Sequence, residues 1–180
     1  MEIKDLLYQA ISEYGEKRIL SDIAQGESPE TITTIFEHCI PKLDEVGKNN
    51  SEIRGGLAEG LTHYLLTVAL IPSQRKTTIQ SVDTDIVVPD AKTLSSSPGE
   101  VVVISFPKTN DAEKIKKHVD GLKKIQPNLK NIWLVIDEPV TTEAKFYTLD
   151  KNEFTFSNMI NDLINFTANT KQSKLKIFRI

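Results

Sequence analysis

Residues 81–108 read SVDTDIVVPDAKTLSSSPGEVVVISFPK, and this stretch contains two strands separated by a turn-rich spacer. An acidic doublet, Asp83 and Asp85, leads into Ile86, Val87 and Val88, so 84–88 is predicted as a strand. Pro89-Asp90 and the serine-rich 95–99 read as turns. Residues 101–106, VVVISF, lack polar alternation, as a strand covered on both faces should. Pro107 ends that strand and Lys108 follows it.

Upstream, Ser51 caps a helix with the apolar stripe Ile53, Leu57, Leu61, Leu65 and Val68, which stops before Pro72. Residues 74–80 read as a further strand. Downstream, 111–125 is a helix burying Ile115, Val119, Leu122 and Ile125, and 131–136 is another apolar strand. An edge strand over 144–149, a helix over 157–167 and a final strand over 175–180 complete the pattern. A strand, a crossover helix and a second buried strand imply parallel pairing of 101–106 with 131–136, whereas the short connections before them imply antiparallel pairing. The predicted class is α/β, a mixed sheet flanked by helices.

The first 48 residues read as helical throughout, with Ile3, Leu6, Leu7, Ala10, Ile11 and Tyr14 on one stripe. Ser28-Pro29-Glu30 combines a capping hydroxyl, a proline at the first helical position and a carboxylate at the positive end of the dipole. The helix it starts buries Ile32, Ile35, Phe36 and Ile40, and Pro41 is expected to kink or end it. Gly47-Lys48-Asn49-Asn50 reads as a linker, dividing a helical segment at 1–48 from an α/β domain at 51–180.

The composition narrows the class. At 180 residues and 39% hydrophobic, the chain can build a core but has no run of the length a spanning helix needs. MEIKDLLYQ is acidic and amphipathic rather than signal-like, and a lone Cys39 excludes an internal disulfide or a cysteine zinc cluster. The expectation is a soluble cytoplasmic protein without membrane contact. Net charge is −3, against indiscriminate nucleic-acid binding, but 108–130 carries seven lysines against Asp111, Glu113 and Asp120. Such a basic face attracts phosphates, although exposed lysines also serve solubility alone. His38-Cys39 lies in a helix far from His63 and His118, without ligand spacing, and Gly55-Gly56 lacks the Gly-Lys-Ser/Thr ending of a phosphate loop. Trp133, among apolar neighbours, reads as core.

The element order and the placement of Asp85 before Ile-Val-Val resemble the restriction-endonuclease-like, or PD-(D/E)XK, nuclease superfamily. The helix beginning Arg54-Gly55-Gly56-Leu57-Ala58-Glu59 is similar to the opening helix of archaeal Holliday-junction resolvases, and the resemblance covers about residues 51–136. It implies a restriction-endonuclease-like core in which an aspartate on the second strand and an acid on the third hold magnesium or manganese, and a lysine two residues on positions the attacking water. Oxygen ligands and charge neutralisation at a phosphate suit such an ion. Carried over by position, Asp85 matches the aspartate and Glu59 the helix acid, while Ser105 stands at the third-strand acid position and Pro107 at the lysine position. Lys108 is adjacent but alternates to the face opposite Ser105 unless a bulge at Pro107 turns it. Asp83 shares a face with Asp85, so the implied catalytic set is Asp85, Lys108 and Glu59, and the implied metal set is Asp83, Asp85 and Glu59. The alternative for Asp83 and Asp85 is hydrogen bonding to nearby backbone.

Three functions follow as expectations. The first is a nucleic-acid-associated protein with reduced or lost catalysis and no cofactor, contacting DNA phosphates through Lys114, Lys116, Lys117, Lys123 and Lys124. The second is an active magnesium- or manganese-dependent endonuclease or resolvase, a phosphodiesterase. The third is a non-catalytic module that forms a homodimer through the N-terminal helices.

Overall fold

The apolar stripes of the sequence become two helical layers around one sheet. The computed structural model describes residues 2–44 and 50–177. Its helices are α1 (Ile3–Tyr14), α2 (Glu16–Ala24), α3 (Ser28–Asp44), α4 (Asn50–Val68), α5 (Ala91–Ser96), α6 (Ala112–Lys123) and α7 (Met159–Ile177). Its strands are β1 (Gln74–Ile79), β2 (Val82–Val88), β3 (Val102–Ser105), β4 (Ile132–Ile136) and β5 (Lys145–Thr148).

The sheet runs β1-β2-β3-β4-β5. β1/β2 and β2/β3 are antiparallel, and β3/β4 and β4/β5 are parallel, so the mixed pairing expected from the connection lengths is present. Alternation along the strands separates two cores. Ile86, Val88, Val102, Ile104, Trp133 and Val135 face α1, α3, α4 and α7, whereas Val87, Val101, Val103, Ile132 and Leu134 face Leu94 of α5 and Ile115, Val119 and Leu122 of α6. All four residues of β3 and all five of β4 are buried, which accounts for their unbroken apolar composition. Trp133 is 3% exposed, a core residue.

The N-terminal helices share the first core. Leu6, Leu7, Ile11, Ile32, Ile35 and Phe36 lie in the same buried cluster as Leu57, Leu61 and Leu65 of α4. Ser28 hydrogen-bonds Asn161 of α7 at 2.9 Å rather than a backbone N–H of its own helix. Cys39 and Leu43 are buried on either side of Pro41, and α3 runs across it to Asp44, so the helix does not end there. Of the expected linker, residues 47–49 lie outside the described residues and Asn50 already belongs to α4.

Two further expectations are corrected. The serine-rich spacer is largely helical, because the Asp90 carboxylate accepts the Thr93 N–H at 2.7 Å and starts α5. The expected final strand is not formed at 175–177, which continue α7, and 178–180 lie outside the described residues. Among the described residues no helix is long and apolar enough to cross a membrane.

Candidate functional site

The β2/β3 ladder runs Val88↔Val102, Val87↔Val103, Ile86↔Ile104 and then stops. The next residue of β2 is Asp85, and its side chain takes over from the backbone. Asp85 Oδ2 accepts the Phe106 N–H at 2.8 Å and lies 3.5 Å from Ser105 Oγ. The carboxylate therefore sits in the cleft where the two strands part, within reach of groups from both helical layers. The hydrogen bond to backbone foreseen for this aspartate is present, and it coexists with a cluster of charges.

From one layer comes Glu59 of α4. It is 2% exposed, because α4 is buried over most of its circumference between the sheet and the other helices. It points at the sheet, on the side of Gly55 and Thr62, both also buried. Lys76 Nζ stands 2.7 Å from Glu59 Oε1 and 2.8 Å from Asp85 Oδ1, bridging the two carboxylates. Lys108 Nζ is 2.7 Å from Glu59 Oε2, and Arg75 approaches Oε1 at 3.6 Å. Glu59 Oε1 is buried and accepts no hydrogen bond of favourable angle, so charge rather than a directed bond holds it.

Burial would raise the Glu59 carboxyl, but the ammonium groups of Lys108 and Lys76 outweigh it and hold the group below the ordinary carboxylate value. Lys76 responds reciprocally. Burial lowers its pKa, the pairing with Asp85 and Glu59 raises it more, and the ammonium is held above its ordinary range.

From the other layer comes His118 of α6. Its Nε2 makes a short hydrogen bond with Ser105 Oγ. Burial pushes the imidazole below its ordinary value, partly opposed by the Asp85 charge. Ser105 and Lys108 thus face opposite layers, as strand alternation requires. No bulge at Pro107 is needed, because Lys108 meets Glu59 on the α4 side from a left-handed backbone at φ 58°.

The structure brings together Glu59, Asp85 and Lys108 and leaves Asp83 out. Asp83 is exposed and accepts the Thr78 hydroxyl at 2.7 Å. Among the described residues no group of three His, Cys, Asp or Glu side chains is placed to hold a metal ion. The two carboxylates that do converge already share an ammonium. The residues present therefore do not fit the divalent ion that the fold family implies.

Sequence reasoning missed Lys76, Arg75 and His118. His118 was detectable, because it falls on the inward stripe of α6 with Ile115, Val119 and Leu122. Lys76 lies opposite Asp85 in the β1/β2 register, which continues from Arg75↔Ile86 to Thr77↔Thr84. Nothing in its local sequence announces its φ of 52°.

Of the five predicted phosphate-contacting lysines, Lys114, Lys116, Lys117 and Lys124 are exposed around α6. Lys123 is engaged by Glu143 at 2.6 Å and Asp120 at 3.7 Å.

Among solved structures the chain is similar to the restriction endonuclease PspGI in its complex with substrate DNA. The match covers 94% of each chain, with a TM-score of 0.64 and 14% sequence identity. No protein-family model and no curated protein matches the sequence. At that identity the likeness is one of fold, and it agrees with the mixed five-stranded sheet and its two helical layers. The chain has a restriction-endonuclease-like α/β fold.

Proposed function

We propose that this is a nucleic-acid-associated protein on a PD-(D/E)XK nuclease-like fold whose catalysis is reduced or lost. The observation that carries the reading is the state of the cleft. Ser105, at the third-strand acid position, is hydrogen-bonded to His118, and the remaining pair, Glu59 and Asp85, is occupied by Lys76. A serine hydroxyl is neutral, and the superfamily's hydrolysis needs charged oxygens around a metal. Nucleic-acid association is supported by the exposed lysines of α6 and by the DNA in the PspGI complex. The expected site of contact is Lys114, Lys116, Lys117 and Lys124 on phosphates, with Lys123 contributing less.

Titration of duplex, branched and single-stranded DNA and of RNA at two salt concentrations tests this directly. Binding that weakens as salt rises is the expected result, and binding without a salt slope would remove the reading. The same substrates incubated with magnesium or manganese should stay intact. Cleavage that disappears in Asp85→Ala would replace this reading with that of an active metal-dependent nuclease. The assembly reading has weaker support, because Leu6, Leu7, Ala10 and Ile11 of α1 are spent within this chain's own core. Light scattering of the full chain decides whether it forms a dimer.

A further inference from the structure

We infer that a cavity between α3, α4 and the segment after β5 binds a small organic carboxylate with a flat apolar body, oriented by Arg54. None of the residues lining it belongs to the cleft of Glu59 and Asp85, and the inference does not depend on the nucleic-acid reading.

The cavity has a volume of about 600 Å³, within the range of sites that enclose a small molecule. Its place in the fold suits a ligand. Asp137 directly follows β4 and Leu149 directly follows β5, and the two strands are parallel, so their carboxyl ends open on one side. Ligands of open α/β sheets gather outside that end. Phe36, Ile40, Leu149 and Phe154 supply apolar surface, with the two phenyl rings 5.1 Å apart between centroids. A further flat ring packs favourably against such a pair.

Arg54 supplies the reason for an anion. Its Nη1 donates to Asp137 at 3.3 Å, and Asp137 also accepts the Ser51 hydroxyl at 3.4 Å, so the guanidinium is anchored on one side. Its Nε is buried and has no hydrogen-bond partner. A buried N–H left unpaired is costly, and the planar guanidinium presents its N–H groups in a fork that matches a carboxylate. A carboxylate in the cavity would provide the missing acceptor. Charge favours a monoanion over a phosphate dianion. The lining holds two cations, Arg54 and Lys151, against one acid, Glu37, an excess of a single positive charge. A dianion would leave one charge uncompensated beside apolar surface.

Calorimetric titration of the full chain with naphthoate tests this, with naphthamide as the neutral match and phenyl phosphate as the dianion. Naphthoate should bind with a Kd below about 1 mM, and naphthamide at least about tenfold more weakly. Arg54→Gln should weaken naphthoate about tenfold or more and leave naphthamide unchanged, a split that a purely structural role for Arg54 would not produce. Thr33→Phe adds bulk at the cavity wall, leaves Arg54 and Asp137 in place, and should abolish binding of both probes. That variant decides the matter if Arg54→Gln does not fold. Naphthoate binding weaker than about 1 mM, equal affinity for the two probes, an equal loss of both in Arg54→Gln, or binding that survives Thr33→Phe would each overturn the inference. Tighter binding of phenyl phosphate than of naphthoate would overturn the assignment of a carboxylate. Failure of DNA binding would remove the nucleic-acid reading and leave these titrations unchanged.

Discussion

Lys108 crosses α4 at Gly55: a Cβ on that glycine would lie 2.8 Å from Lys108 Cγ and 3.5 Å from its Cα. The missing side chain lets the lysine lie flat against the helix and reach Glu59 one turn further on, at 2.7 Å. Gly55 therefore permits a close approach, but to the loop after β3 rather than to the sheet itself.

Gly55→Ala and Gly56→Ala should have opposite signs. At Gly55 the contact is with the root of a side chain and cannot relax cheaply, so a net loss of about 1–2 kcal/mol is expected after the helix-propensity gain. At Gly56 the nearest atom, Ile3 Cδ1, is 3.6 Å away, an ordinary contact. Alanine there should stabilise by up to about 1 kcal/mol. Urea denaturation of both variants checks the pair.

Asp85→Ala removes the acceptor of the Phe106 N–H at a residue that is 3% exposed. An unsatisfied buried donor costs about 1–3 kcal/mol, and a shift of that size in unfolding free energy is expected. A change near zero would mean that water replaces the carboxylate.

The cleft titrates in two windows. His118 is held below its ordinary 6.5, so the unfolded chain takes up the proton first and stability falls as pH drops through that value. Glu59 is held below 4.5, so its contribution is present above that value and is lost at lower pH, as the carboxylate takes a proton in the folded state. His118→Gln should flatten the stability profile between neutral pH and the Glu59 window by about one proton, and Glu59→Gln should flatten it only below. Denaturation midpoints measured across that range separate the two.

Phosphate contact by α6 predicts unequal effects among its lysines. Lys117→Ala with Lys124→Ala should reduce the slope of log affinity against log salt by about two, close to one for each lost contact. Lys123→Ala should change it little, because that ammonium is committed to Glu143 at 2.6 Å.

Local periodicity was enough to read the order of helices and strands, the mixed pairing and most of the core. Residues that face one layer recur every second position in β2 and every third or fourth in α4 and α6, and such spacing is a property of neighbours along the chain. Asp85, Glu59 and Lys108 were legible in another way, from their positions in the resemblance to a nuclease core rather than from periodicity.

What the chain's linear pattern determined is therefore a scaffold and three charged groups pointed toward one end of it. The tertiary structure alone decided their state. Lys76 enters the cleft from a left-handed backbone within a strand, His118 arrives from the opposite layer, and Asp83 turns to Thr78 instead. No neighbouring residue signals the Lys76 conformation, as glycine or asparagine would signal a turn. The lysine placements follow from long-range charge balance, because a buried and a half-buried carboxylate drawn together by folding need cations, and the side chains that supply them are lysines on β1 and after β3.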